Sequence, residues 1–482
     1  MNYKMMGRFL AQILGIEGVF LLPALCISLY CGDAMAVRGF LAAIAVAAGL
    51  VLVLSMLCRG APSAFYAKDG LVCVGLSWVV LSAVGCLPFC ISGEIPSFVD
   101  AFFETVSGFT TTGASIVPEV EKLSRGILYW RSFSHWLGGM GVLVFLLAFT
   151  GPKGQGFTMH LLRAESPGPS VGKLVPKMRT TAALLYIIYV ALTILDVIFL
   201  VAGDMPLFEA VCHAFGTAGT GGFGIKNDSF ASYSPYLQNV TTVFMALFGV
   251  NFSCYYLLLV GQWRNVFRDE ELRAYFGIIL VAIGLIVWNL RGFYDTVEET
   301  LRQAAFQVSA VITTTGYATT DFDLWPSFSK TILLGLMIVG ASAGSTGGGL
   351  KVARVLLLLK SLRRNLHKTL NPRKVEIIRN NGDVVDEQVL ENTNAYFAAY
   401  AVILFAIFLI ISLDGFSVGT NVSAVLCTFN NIGPGLEAVG PTCNFSGFSN
   451  LSKLALSWGM LAGRLEIFPM LVLFSGRTWR RR

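Results

Sequence analysis

A chain of 482 residues that is 55% hydrophobic and only 13% charged does not read as a soluble globular protein, because soluble chains carry about a quarter of their residues as charges and divide into several domains at this length. The formal charge of +6 is small and, as the loops below indicate, confined to one side, which argues against nucleic acid as a partner. The ten cysteines lie mostly in apolar runs without CxxC spacing, so neither a disulfide framework nor a zinc site follows.

The chain begins with a short basic stretch and an apolar run to Cys31. PALC at Pro23 to Cys26 has the look of a lipoprotein cleavage signal, but the run is a full membrane span and Leu25 is not the small residue that cleavage needs. We expect a retained helix, followed by a second near 36–57, the pair occupying residues 1–66. Repeat 1 (67–155) has an outer helix near 70–91, a pore helix near 98–107 and an inner helix near 127–150. Repeat 2 (156–268) has helices near 182–202 and 237–262; repeat 3 (269–372), near 275–290 and 331–359; repeat 4 (373–482), near 394–413 and 451–474. Ten membrane spans are expected, eight of them in four pairs.

Between the members of each pair lies a turn of small residues: SGFTTTGAS from Ser107, FGTAGTGGFG from Phe215, VITTTGYAT from Val311 and FNNIGPGLE from Phe429. With Gly113, Gly221, Gly316 and Gly433 as equivalents, the turns recur with a period of about a hundred residues. Surface loops would carry charge, and these turns carry almost none. Irregular backbone at membrane depth survives only where protein or a water-filled path satisfies it, so four such re-entrant turns imply one shared polar path. Glycine permits conformations closed to other residues, and such loops can aim carbonyl oxygens at a bare cation. The fourth turn has Asn430, Asn431 and Ile432 where threonines would stand, so the ring is expected to be only pseudo-fourfold.

Charge sets an orientation. Lys153, Arg163, Lys173, Lys177 and Arg179 face Glu165 in one inter-repeat connection; Lys360, Arg363, Arg364, Lys368, Arg373, Lys374 and Arg379 face Glu376 in another; the chain closes on Arg477, Arg480, Arg481 and Arg482. The connections that hold the turns lean acidic, with Asp100, Glu104, Glu119, Asp204, Glu209, Asp228, Glu298, Glu299, Asp321 and Asp323. The positive-inside rule therefore puts both termini in the cytoplasm and the turns on the outer side.

Gly344 to Lys351, GSTGGGLK, resembles a phosphate loop, but Leu350 separates glycine from lysine and the context is an apolar helix, so this chain is expected to hold no nucleotide. The same stretch interrupts the inner helix of repeat 3. Gly340, Gly344, Gly347, Gly348 and Gly349 disfavour helix by about 1 kcal/mol each, while Ser345, Thr346 and Lys351 add polarity that close packing does not need. An unwound loop beneath the turns, acting as a gate, is expected. Arg464, in LAGRLEIFP, is an ionisable group inside an apolar helix and so a functional candidate. Glu466 stands two residues away, on a different helix face, which makes a pair within that helix poor. Glu104 reads as an anchor or vestibule charge, and His213, beside Glu209, as a packed group. The histidines at 135, 160, 213 and 367 are scattered, so no catalytic dyad or metal set for an enzyme emerges. An inverted-repeat carrier of organic solutes breaks helices in two places rather than four.

With the motifs TTTG, GTGG, TTTGY, NNIGPG, GASAGSTGGGLK and GRLEIFP in this order, the chain resembles the Trk/Ktr/HKT superfamily of potassium transporters, most closely its bacterial TrkH-type membrane subunit, over nearly its whole length. The resemblance implies an all-α polytopic membrane protein with four helix–pore loop–helix repeats in pseudo-fourfold arrangement around a central pore. It implies a potassium filter at Thr111, Thr112, Gly113, Thr220, Gly221, Thr315, Gly316, Asn431, Ile432 and Gly433, and Arg464 as a positive barrier below it. Four glycines accompany potassium selectivity in the family, whereas a serine in the first loop accompanies sodium permeation in some plant relatives. The family also implies a homodimer, each subunit with its own pore, on a cytoplasmic ring of nucleotide-binding regulatory subunits of the TrkA or KtrA kind. The basic stretch 363–374 and the C-terminal arginines serve as docking points for that ring, as topology signals or as lipid contacts; the sequence does not choose among these, nor between a channel and a symporter driven by protons or sodium.

Overall fold

The computed structural model describes residues 2–60, 67–141, 178–373 and 375–479. The boundary expected at 155 and 156, most of the basic connection 153–179, Lys374 and Arg480 to Arg482 lie outside the described residues. Within them the protein is helical, apart from a two-residue hairpin pairing Arg379–Asn380 with Asp383–Val384.

Six helices are long and apolar enough to cross a membrane among the described residues: Tyr3–Cys31, Ala34–Leu57, Lys68–Ser92, Ala182–Ala202, Glu270–Asn289 and Glu387–Asp414. They are the N-terminal pair and the outer helix of each repeat. The inner helix of repeat 3 is broken at the expected glycine stretch, and those of repeats 2 and 4, expected as unbroken spans, are interrupted as well. The first is described over Arg125–Gly139, and the remainder of its expected range, 142–150, lies outside the described residues. The second is split into Pro235–Phe248 and Phe252–Leu259, bent by 89°. The third is split into Ser327–Val339 and Val352–Leu370, and the fourth into Asn450–Arg464 and Phe468–Phe474. Two of the breaks satisfy each other's backbone: Ser342 N donates to the Gly249 carbonyl at 3.1 Å and Phe252 N to that of Gly344 at 3.0 Å. Such exchange is what allows non-helical backbone at membrane depth.

Between outer and inner helix of each repeat stands a short pore helix: Phe98–Phe109, Leu207–Gly219, Val297–Ile312 and Val418–Phe429. Their starts are written into the sequence. Ser97, Thr296 and Ser417 accept hydrogen bonds from the backbone N–H groups of Asp100, Glu299 and Thr420, which satisfies donors that a helix start otherwise leaves open. Asp100, Glu209, Glu298 and Glu299 put negative charge on the first turns, where the helix dipole favours it. The fourth pore helix has no acid there, and Glu437 from the following loop supplies one, accepting from Ser417 Oγ, Thr420 N and Thr420 Oγ1. The Ser417 hydroxyl first, and then that of Thr420, hold the Glu437 carboxyl below its usual range.

The N-terminal pair packs on repeat 1. Gly126 of its inner helix lacks the Cβ that would collide with Ser28, and Gly39 the one that would collide with the Pro88 carbonyl. An aromatic ladder then joins repeat 1 to repeat 2: Phe133 stacks on Trp136 with ring centres 5.7 Å apart, Phe215 lies 5.3 Å from Phe133, and Tyr189 stacks on Trp136 at 5.3 Å. Rings of this size fix the repeats against one another with little conformational freedom left to lose.

Candidate functional site

The four pore helices end in the same way. The N–H groups of Thr111, Thr220, Thr314 and Asn431 bond to the carbonyls three residues back, at 3.1, 3.1, 3.1 and 3.2 Å. Those of Thr112, Gly221, Thr315 and Ile432 bond to the carbonyls five residues back, at 2.8 Å each. This is the paired 5→2 and 6→1 bonding of a Schellman cap, whose turning residue is left-handed. That residue is Thr111, Thr220, Thr314 or Asn431, with φ of 56, 54, 59 and 58°. Threonine is strained there by about 1–3 kcal/mol, the sort of strain that persists where surrounding structure enforces it; asparagine tolerates the conformation better. Two residues on stand Gly113, Gly222, Gly316 and Gly433, at φ of 78, 76, 79 and 104°.

The equivalent of Gly113 is therefore Gly222 and not Gly221, a shift of one residue from the register expected. Gly221 matches Thr112, Thr315 and Ile432. In GTGG two adjacent glycines leave the sequence register open, and the hydrogen bonds close it.

The loops form one ring. A Cβ built on Gly113 would meet the Gly221 carbonyl oxygen; on Gly222, that of Thr315; on Gly316, that of Ile432; on Gly433, that of Thr112, all within the 3.0 Å that real Cβ atoms keep clear. Each glycine thus abuts the carbonyl preceding the glycine of the next loop, in the order one, two, three, four and back to one. The fourth loop, for all its different side chains, takes its full place. Thr112, Thr315 and Ile432 are wholly buried.

Side chains hold the ring from behind. Thr110 and Thr112 share a hydroxyl bond of 2.8 Å, and Thr313 and Thr315 repeat it at 2.8 Å. Asn431 Nδ2 donates to Thr112 Oγ1 and to the Met460 carbonyl, both at 3.0 Å. Asn430 exchanges hydrogen bonds with the Tyr400 hydroxyl. Behind Gly221 stands His135, which the sequence reading passed over. Its Nδ1 donates to the Gly108 carbonyl at 2.8 Å while Nε2 accepts from Phe223 N at 3.2 Å, which fixes a neutral imidazole in one tautomer.

On one side of the ring a cavity of about 130 Å³ is lined by Gly113, Gly222, Gly316 and Gly433. Beside it Arg131 Nε meets Glu104 at 2.6 Å, Arg131 Nη1 donates to the Gly224 carbonyl at 2.8 Å, and the guanidinium lies 3.6 Å from the centre of the Phe223 ring. Glu104 also accepts from Ser115 Oγ at 3.0 Å and Ile116 N at 2.9 Å, so it anchors the descending limb of the first loop. Arg131 is the partner that sequence reasoning missed. An arginine in the apolar run YWRSFSHW was the available signal. His213 is packed, its Nε2 3.2 Å from the Tyr233 hydroxyl, which in turn donates to Glu209 at 2.7 Å.

On the other side lies the stretch from Gly340 to Lys351. Gly340, Gly344, Gly349 and Lys351 have φ of 72, 68, 76 and 76°, so the helix cannot continue. Gly348 N donates to Thr314 Oγ1 at 2.6 Å, and a Cβ on Gly348 would meet the Asn430 carbonyl. The stretch therefore lies against the third and fourth loops. Lys351 Nζ turns back to the Gly347 carbonyl, and Ser345 Oγ donates to the Ser342 carbonyl at 2.6 Å. Arg464 reaches the same stretch from the last inner helix: Nη1 donates to the Thr346 carbonyl at 2.7 Å, and Nη2 to the carbonyls of Gly138 and Gly139, both at 2.6 Å. Three repeats meet at that one guanidinium. Glu466 pairs with Arg354, whose guanidinium lies 4.0 Å from the centre of the Tyr396 ring.

Residues 36–481 match the family model TrkH, described as a cation transport protein. The chain is 36% identical to the Trk system potassium uptake protein TrkH of Salmonella typhimurium over 486 residues, 98% of this chain and 99% of that one. It is 38% identical to the Escherichia coli K12 protein of the same name over 421 residues, 86% of each. The crystal structure of the potassium transporter TrkH from Vibrio parahaemolyticus superposes with a TM-score of 0.87 at 31% identity, covering 100% of both chains.

Proposed function

Because the chain belongs to the TrkH family of cation transport proteins, we propose that it is a transporter, not an enzyme, that admits potassium across the bacterial cytoplasmic membrane through a filter of backbone carbonyls. The observation that carries this reading is the closed ring of four loops, each glycine against the next loop's carbonyl. The filter comprises Thr111, Thr112, Gly113, Thr220, Gly221, Thr315, Gly316, Asn431, Ile432 and Gly433, to which the ring register adds Gly222. The pore helices end at the ring, so their negative ends favour a cation without a fixed acidic ring. The N-terminal pair (1–66) and the repeats 67–155, 156–268, 269–372 and 373–482 are its building units. Both termini are cytoplasmic, and the cavity lined by the ring glycines opens outward.

Gly340, Gly344, Ser345, Thr346, Gly347, Gly348, Gly349 and Lys351 form the gate, and Arg464 the positive barrier beneath the filter. Relatives are named as parts of a Trk system, which supports a cytoplasmic nucleotide-binding regulatory ring of the TrkA or KtrA kind under a homodimer of this chain; potassium is the ion bound here and the nucleotide belongs to the ring. The basic stretch near residues 363–374 faces that ring or the lipid surface.

Rubidium and sodium flux into liposomes holding this protein, with and without an imposed pH gradient, tests the function. Rubidium uptake in preference to sodium is expected; uptake that follows the gradient identifies proton coupling, and uptake indifferent to it a channel. Equal entry of both ions rejects the potassium filter. A second expectation concerns the gate: deleting residues 345–348 raises flux and makes it independent of the regulatory ring. Flux that stays low and ring-dependent in the folded deletion variant puts the gate elsewhere.

A further inference from the structure

Three consecutive acids at the start of the third outer helix touch three different parts of the protein. Asp269 caps the helix, accepting from Leu272 N at 2.8 Å, and its other oxygen accepts from Asn381 Nδ2 at 2.7 Å. Glu270 exchanges backbone and side-chain bonds with the same asparagine: Glu270 N donates to Asn381 Oδ1 at 2.8 Å, and Asn381 N donates to Glu270 Oε1 at 3.2 Å. Its second oxygen pairs with Lys360 of the helix that follows the intramembrane stretch, and Lys360 also donates to the Arg379 carbonyl at 2.7 Å. Glu271 points the other way. Its Oε1 accepts from Ala343 N at 2.6 Å and from Ala353 N at 3.1 Å.

Ala343 lies within the unwound stretch and Ala353 in the first turn of the helix after it. One carboxylate oxygen therefore pins both shoulders of the stretch to the outer helix of its own repeat. Asn381 is the first residue of an Asn-Gly turn, with φ of 51° at Asn381 and 89° at Gly382, which is the type I′ geometry of a tight two-residue hairpin. A rigid exposed hairpin is thus fastened to Asp269 and Glu270, and the next residue is fastened to the gate.

We propose that Glu271 is a positioning residue that clasps the intramembrane stretch in its obstructing position, and that the 379–384 hairpin is the handle by which a force from the cytoplasmic side reaches that clasp. The flux part of this inference rests on reading the stretch as the gate. Hydrogen bonds to a charged acceptor are stronger than neutral ones, and two are lost together when the carboxylate goes. A displacement of the hairpin moves residues 269 and 270 directly, and Glu271 follows because it belongs to the same helical turn.

The test uses the full chain in liposomes with a Ser345→Cys reporter, whose reaction with a membrane-impermeant maleimide is read at that residue by mass spectrometry. Glu271→Ala is expected to raise both the labelling rate and rubidium flux roughly tenfold, and Glu271→Gln, which keeps an acceptor oxygen, to restore most of the original values. A residue that only supported folding would change the yield of folded protein and leave labelling of the folded fraction alone. Unchanged labelling at position 345 overturns the clasp. Raised labelling with unchanged flux upholds the clasp and overturns the gate reading. Asn381→Ala, at the surface, keeps the test open if Glu271→Ala fails to fold, since alone it should raise labelling by a smaller factor; where Glu271→Ala folds, Asn381→Ala should add nothing in the double variant. Independent, multiplying effects overturn the link between hairpin and clasp.

Discussion

Gly222→Ser is expected to abolish most of the preference for rubidium over sodium and to cut uptake by an order of magnitude or more. Its Cβ would enter the space of the Thr315 carbonyl oxygen, and φ at this position is 76°, where an L side chain is disfavoured by about 1–2 kcal/mol even without the collision. The backbone cannot yield on one side only, because Thr315 is itself bonded to Ala310 and its hydroxyl to Thr313. The four ring positions should rank by contact: Gly222 and Gly316 are the tightest, Gly113 is next, and Gly433, whose added Cβ would stand 2.8 Å from the Thr112 carbonyl, is the mildest. Gly113→Ser should accordingly weaken discrimination while the other three loops still bind some potassium. Competition of sodium against rubidium uptake in each variant reads the ranking. Wild-type selectivity in folded Gly222→Ser protein removes that residue from the filter and restores Gly221 as the ring glycine.

Arg464→Ala is expected to raise flux, by the second largest factor. A unit positive charge 4 Å from a cation opposes it by about 4 kcal/mol at an effective dielectric of about 20. The guanidinium also ties the Thr346 carbonyl to those of Gly138 and Gly139, so its loss removes a barrier and releases the stretch that carries Thr346. Arg464→Lys separates the two. An ammonium keeps the charge but lacks the planar fork that spans three carbonyls, so intermediate flux is expected; flux equal to that of the alanine variant would assign the effect to the bonds. Lower flux in folded Arg464→Ala protein would instead make the arginine a structural tie.

The pore loops were legible because their physical demands are local and residue-specific. A positive φ beside a neighbour's carbonyl admits glycine and little else, so the demand leaves a mark at each repeat. The register of the second loop was not legible, since two glycines in a row meet that demand equally well and only the 2.8 Å bond from Gly221 N to the Gly216 carbonyl decides. The break in the third inner helix shows in its run of glycines. The breaks in the second and fourth do not. In the fourth, Glu466 and Ile467 take φ of 60 and 64°, and an isoleucine held there by its surroundings has no compositional signature. The pairs Arg131–Glu104 and Arg354–Glu466 are joined by tertiary structure across 27 and 112 residues. Burial of a charge inside an apolar helix marks each arginine as a candidate, as it marked Arg464, but names no partner.

The closure of the ring has a consequence for how the protein is made. The last seam joins the fourth loop to the first, with Asn431 donating to Thr112 across 319 residues of chain. As helices enter the bilayer in the order of synthesis, the first three loops come to lie side by side while loop one, with its strained Thr111, still lacks its final neighbour. Contacts this distant in sequence close slowly and leave earlier parts exposed meanwhile. A chain arrested after its third repeat and before its fourth would therefore hold a three-sided slot, with the Thr112 carbonyl turned toward lipid in place of Gly433.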